Sequence, residues 1–153
     1  MPRIRLSPSG PFSGSTLAGS PQFALSGPDV VPVAAPLFSV IVATPLTAVG
    51  AGTQIVAHYI AAWVGAAADQ IRFRLRVVDS LGVTVALLAD YKSSALPAAL
   101  AAVVQQATGQ GSFVVPVAVG PISVILEASS LAGTPTVLGP ASAQDTNLAL
   151  LVF

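Results

Sequence analysis

From Leu37 onward the apolar residues come in short runs separated by clusters of Gly, Pro, Ser, Thr and Asp. Runs of this length, rich in Val, Ile and Phe and bounded by turn residues, predict strands. They fall at LFSVIVA (37–43), IVAHYIAAWV (55–64), IRFRLRVV (71–78), VTVALLA (83–89), SFVVPVAV (112–119), ISVILEAS (122–129) and NLALLVF (147–153). Asp79-Ser80-Leu81-Gly82 reads as the turn of a β-hairpin, Gly120-Pro121 as a second turn, and LAGTPTVLGPASAQD (131–145) as a loop. SSALPAALAAVVQQATG (93–109) is the one stretch with helix character: Ser94 can cap, Pro97 sits near a first turn, and Ala and Leu form helix readily. A short helix is expected at 98–106. No fixed internal repeat is visible, which disfavours a solenoid or propeller. The fold class read from this pattern is all-β, a jelly-roll-like β-sandwich.

The strand faces differ in kind. IRFRLRVV alternates strictly, with Ile71, Phe73, Leu75 and Val77 on one face and Arg72, Arg74 and Arg76 on the other. IVAHYIAAWV does not: Ile55, Tyr59 and Trp63 share one face, while Val56, Ile60 and Val64 share the other with His58. ISVILEAS and NLALLVF are likewise apolar on both sides, through Ile125, Leu151 and Phe153. A strand apolar on both faces requires cover on both. In a two-sheet sandwich one face meets the opposite sheet, so the second is expected to meet a loop, the N-terminal segment or a neighbouring subunit.

That N-terminal segment, residues 1–36, alternates proline with Ser and Gly, as in SPSGPFSGSTLAGSPQF. Proline fixes φ and removes a ladder donor, so extended or irregular backbone is favoured over helix or central strand. The chain therefore divides into an extended arm, 1–36, and a β-sandwich domain, 37–153. An arm with so little core of its own is ordered by lying on a partner, with Phe12, Leu17, Phe23 and Leu25 as anchors, or by folding back over its own domain.

Composition sharpens the assembly reading. Only 8% of the 153 residues are charged and 54% are hydrophobic, whereas a soluble domain is ordinarily about a quarter charged. A surface this poor in charge is expected to be covered in part by other subunits. The mean hydropathy of +0.82 raises the question of membrane spans, and two segments, Val30 to Ala57 and Ser93 to Leu126, carry no charge. Both are broken by Pro and Gly at strand-length intervals, and neither keeps about 18 apolar residues together. No membrane insertion is expected, and the N-terminus lacks the apolar core of a signal peptide. Zero net charge gives no footprint for nucleic acid. The absence of cysteine excludes disulfides and thiolate metal sites.

Candidate chemistry is sparse. The single histidine, His58, lies mid-strand, and no nucleophile elbow of the G-x-S-x-G kind is present, so His58 reads as structural. One His without Cys makes a poor metal site, GAGT (50–53) lacks the Lys of a phosphate loop, and no cofactor is expected. Five of the six acids fall in turns or loops. Glu127, alone on an apolar strand, is expected to pair with one of the arginines. Arg72, Arg74 and Arg76 set a guanidinium row at about 6.5–7 Å intervals, suited to an anionic ligand, to acids on a neighbouring subunit, or to solvent on an outer sheet face. Trp63 and Tyr59 read as core, and Tyr91, flanked by Asp90 and Lys92, as an exposed contact in a loop. Nothing here names a reaction, and a non-enzymatic role is expected.

The succession IVAHYIAAWVGAAADQIRFRLRVVDSLGVTVA, SFVVPVAVGPISVILEASS and TNLALLVF resembles the compact jelly-roll heads of the TNF/C1q-like group, similar to heads on phage fibres, capsid decorations and bacterial surface filaments. The resemblance spans residues 37–153. It rests on strand rhythm, the arginine strand before a D-x-x-G turn, and the apolar terminal strand. It implies a homotrimer whose apolar strand faces meet at a threefold axis, and a structural subunit of a virion, as capsid decoration or fibre, with the arm contacting other virion or filament proteins. The alternative it leaves open is an extracellular or cell-surface carbohydrate- or receptor-binding module. The arm departs from the collagen or coiled-coil stalks of the group, and the Ala-rich 93–108 segment looks like an insertion. Candidate contact residues are Arg72, Arg74, Arg76, Tyr91, Phe12, Phe23 and Phe153.

Overall fold

A computed structural model describes residues 22–25, 27–117, 120–139 and 146–153. Its strands are β1 (Gln22–Leu25), β2 (Ser39–Ala43), β3 (Gln54–Val64), β4 (Gln70–Asp79), β5 (Thr84–Lys92), β6 (Gln105–Val114), β7 (Ile122–Ala132), β8 (Thr136–Val137) and β9 (Asn147–Val152). They form two antiparallel sheets packed face to face. The first has the order β1-β9-β3-β6, with β8 also paired to β3; the second has the order β2-β7-β4-β5. The all-β sandwich expected from the sequence is the observed fold.

Period-two alternation builds the core. Ile55, Ala57, Tyr59, Ala61 and Trp63 of β3 point inward from the first sheet, and Ile71, Phe73, Leu75 and Val77 of β4 from the second, all of them buried. Leu148 and Leu150 of β9 and Val124 and Leu126 of β7 fill the same layer. Each large side chain removed from water in this way contributes about 1.5–3 kcal/mol.

Two expectations about the middle of the chain are corrected. The helix at 98–106 is a single 3-10 turn, Ala98–Leu100, which ends where Ala102 takes a positive φ of 61°. The strand at 112–119 instead runs from Gln105 to Val114, ten residues paired with β3 from Gln54↔Val114 to Trp63↔Gln105. QQATGQGSFV resembles a loop because it is rich in Gln and Gly, but its glycines are there for space. A Cβ on Gly109 would sit 2.5 Å from Cε1 of Tyr59, and one on Gly111 would sit 2.4 Å from the Leu88 carbonyl oxygen. Glycine at these positions lets the Tyr59 ring lie across β6 and lets β5 approach β6, which closes one edge of the sandwich. The expected 131–145 loop also contains β8.

The described part of the arm is laid on its own sandwich. Gln22–Leu25 pair with Asn147–Leu150 as an edge strand of the first sheet. Val30 then bridges Val137, and Ala34 bridges Ser130, so the chain crosses from the first sheet to the second before entering β2. At the opposite end of the sandwich from Phe153, Asp69 is buried and joins two turns. Its Oδ2 accepts the Ala66 N–H at 2.9 Å, its backbone carbonyl accepts the Leu96 N–H at 2.9 Å, and Gly133 leaves room for its carboxylate.

Candidate functional site: two unlike sheet faces

The outer face of the second sheet holds the arginine row. Arg72, Arg74 and Arg76 alternate with inward core residues along β4. Register brings Glu127 of β7 opposite Arg74 and Asp90 of β5 on its other side. Arg74 donates through Nε and Nη2 to Oε2 of Glu127 at 3.0 and 2.8 Å, and Arg76 donates through Nε to the same oxygen at 2.9 Å and through Nη2 to Oε1. Glu127 has only 5% of its side chain exposed, so two guanidiniums neutralise one buried carboxylate. Arg72 forms a two-pronged pair with Asp90, its Nε lying 2.7 Å from Oδ1. That pairing holds the Asp90 carboxyl below its ordinary range, and the Asp90 hydrogen bond pushes the Arg72 guanidinium up. Phe38, in the strand-entry segment before β2, lies beneath the row, its ring centroid 3.8 Å from Cζ of Arg74 and 5.4 Å from that of Arg72. Such stacking adds a cation–π contribution. Arg76 also donates to the Thr84 hydroxyl. The row is thus bound up within the chain, and the expected pairing of Glu127 with the arginines is present, shared by two of them.

The outer face of the first sheet is of the opposite kind. No Asp, Glu, Lys or Arg occurs in β1, β3, β6, β8 or β9, whereas β4, β5 and β7 hold Arg72, Arg74, Arg76, Asp79, Asp90, Lys92 and Glu127. Pairing puts Val56, His58 and Ile60 of β3 on this outer face beside Leu151 and Ala149 of β9. Gln106, Thr108, Gln110 and Ser112 of β6 form a neutral polar margin along the other flank. The centre of the face is half-buried and apolar, and the margin is exposed. His58 is the one titratable group that β3 places on this face, opposite Ala149 and Gln110.

The remaining candidates separate. Tyr91 stands in β5, not in a loop: alternation continues through Asp90-Tyr91-Lys92, so the ring turns toward Phe73, centroids 6.4 Å apart, and packs against the core. Tyr59 also packs on Phe73, at 6.1 Å. Its hydroxyl is buried with no hydrogen-bond partner among the described residues, and burial, reinforced by Tyr91 and Asp90 nearby, pushes its pKa up to about 12. Phe23 sits in β1 opposite Ala149, and Phe153 is exposed beside Gln54, to which its backbone pairs. Phe12 lies outside the described residues. No group of three or more His, Cys, Asp or Glu among the described residues gathers as a metal site, and no helix among them is long and apolar enough to cross a membrane. Phe38 is the functional-face residue that sequence reasoning missed, because 34 positions separate it from Arg72 and only the fold brings them together.

No protein-family model and no curated protein matches the chain. Solved structures do. A chain from the infectious bursal disease virus Gx strain superposes with a TM-score of 0.52 at 9% identity, covering 100% of this chain and 36% of that one. A chain from the Gt strain gives 0.54 at 10% identity, covering 99% and 38%. Eiger TNF from S. frugiperda gives 0.54 at 12% identity, covering 87% of this chain and 91% of that one. The protein therefore shares the TNF-like jelly roll, and it spans little more than a third of the length of the viral chains it resembles.

Proposed function

We propose that this protein is a non-enzymatic structural subunit that assembles with copies of itself as a homotrimer and serves in a virion, as a capsid decoration or fibre subunit. Residues 37–153 form the body, and the arm, 1–36, reaches neighbouring virion or filament proteins. The observation that carries this reading is the segregation of charge. Among the described strands, one sheet holds every charged residue, with Arg72 paired to Asp90 and Arg74 and Arg76 to Glu127, while the other presents an outer face with none. A face without ions meets another copy with no charge to desolvate and no like-charge repulsion, and interface cores are depleted in charge. The jelly roll shared with viral chains and with Eiger TNF supports a virion or extracellular setting.

Sedimentation or native mass measurement at micromolar concentration tests it. The expected species is three times the 15.2 kDa chain mass; a stable monomer overturns the proposal. The alternative, a carbohydrate- or receptor-binding module built on the arginine row and Tyr91, has less in its favour, because the guanidiniums are engaged by Glu127 and Asp90 and Tyr91 packs inward.

A further inference from the structure

Between the two sheet faces, one end of the sandwich is left apolar. Backbone pairs Thr47 with Ile122, Val115 with Thr53, and Phe153 with Gln54, and Ile122 stands opposite Asp79. The connections at the start of β3 and the finish of β4, β6 and β9 therefore share this end. They carry Leu46, Leu81, Val83, Val114, Val117 and Phe153, each more than half exposed, with Leu81 at the hairpin tip 86% exposed. The one charged side chain these described connections hold is Asp79, and its Oδ1 caps the hairpin by accepting the N–H groups of Leu81 and Val83, both at 2.9 Å. An apolar surface of this kind is costly in water and marks a contact.

The chain supplies an occupant. Gln22 pairs with Leu150, three residues from Phe153, so β1 begins at this same end, with 21 residues preceding it in the sequence. That segment is uncharged from Leu6 onward and spaces Phe12 and Leu17 among Ser, Gly and Pro. Fully extended, the segment reaches about 70 Å, against about 35 Å for the length of β3.

We infer that residues 1–21 of one copy lie across the apolar end of a second copy, with Phe12 and Leu17 seated against Leu81, Val117 and Phe153. The inference rests on the self-assembly proposed above and names a second contact for it. The donating arm and the receiving end are different surfaces, so the contact is heterologous. Such a contact closes into a ring where the rotation permits, as a trimer requires.

The chain contains no cysteine, so introduced thiols report single contacts. Full-length chains bearing Leu17→Cys are co-expressed with tagged chains bearing Leu81→Cys and oxidised. Disulfide-linked dimers with one chain of each kind are expected. In the full-length protein, Phe12→Ser with Leu17→Ser is expected to weaken association by about tenfold or more, while secondary structure stays intact. A chain carrying both thiols that links only to itself overturns the inference, since the arm then covers its own end. Leu81→Cys chains linking to one another, or oligomers that form without any Leu17–Leu81 link, overturn it as well. If native mass shows only monomers, the self-assembly reading falls with it, which separates the two failures.

Discussion

Oε2 of Glu127 accepts the Nε–H groups of both Arg74 and Arg76, at 3.0 and 2.9 Å. Removing the carboxylate leaves two partly buried guanidiniums beside each other, and breaking a fully buried pair costs about 3–5 kcal/mol, which sets the upper limit here. Glu127→Ala is therefore expected to lower the unfolding free energy measured by urea denaturation by up to that amount, seen as a lower midpoint. Replacing Glu127, Arg74 and Arg76 together by leucine is expected to recover most of the loss, because the ions and their desolvation then disappear together.

Arg72 and Asp90 form an exposed pair, each with more than a quarter of its side chain accessible. Arg72→Ala is expected to cost less than about 1 kcal/mol. The folded-state pKa of Asp90 is depressed, mainly by its hydrogen bond to Arg72. Its contribution is therefore complete above the ordinary carboxylate range and is lost as pH falls through the depressed value. Chemical denaturation of wild type and Arg72→Ala across acid pH is expected to show the two stability curves converging.

Tyr59 behaves in the opposite sense. Its folded pKa, raised to about 12 by burial, exceeds the ordinary value of about 10, so ionisation opposes folding: stability is independent of this group below pH 10 and falls between pH 10 and 12. A raise of this size corresponds to roughly 3 kcal/mol. Ultraviolet titration is expected to show one tyrosine ionising only as the protein unfolds. Because the hydroxyl has no partner among the described residues, Tyr59→Phe is expected to keep or raise stability at neutral pH and to flatten the alkaline loss.

Gly111→Ala is expected to destabilise by about 2 kcal/mol or more, since its Cβ meets the Leu88 carbonyl oxygen and neither backbone can yield without opening the β5–β6 edge. Gly50→Ala, with open space around the added carbon, is expected to be neutral or slightly stabilising. Thermal denaturation of the two variants makes the comparison.

Alternation is the part of the fold that the residues announce most plainly. Arg72, Phe73, Arg74, Leu75 and Arg76 declare β4 and its faces without help, and Asp79 through Gly82 declare the hairpin. Lone Glu127 on an apolar strand required a partner and has one, although its sharing by two arginines depends on a register no local pattern encodes. β6 escaped because the glycines that admit Tyr59 and the Leu88 backbone look like turn residues. Ala98–Leu100 looked helical because alanine favours helix on its own, while ten residues of pairing with β3 outweigh that preference from Gln105 onward. Asp90 and Lys92 made Tyr91 look exposed, yet charges on alternate positions are what an outward strand face displays. The role of Phe38 beneath Arg74 arises only when the crossing segment brings it there.

In the proposed assembly, copies meet through the uncharged outer face of the first sheet. Matched variants test it: Ile60→Glu places a charge on that face, next to His58 along β3 and opposite Asn147 and Thr108, and Leu87→Glu places the same charge on the exposed face of the second sheet. Native mass measured on wild type and both variants is the decisive comparison, with circular dichroism confirming that each is folded. Wild type and Leu87→Glu are expected to be trimers and Ile60→Glu a folded monomer. A monomeric wild type, or an Ile60→Glu variant that stays trimeric, would show that copies do not meet through this face.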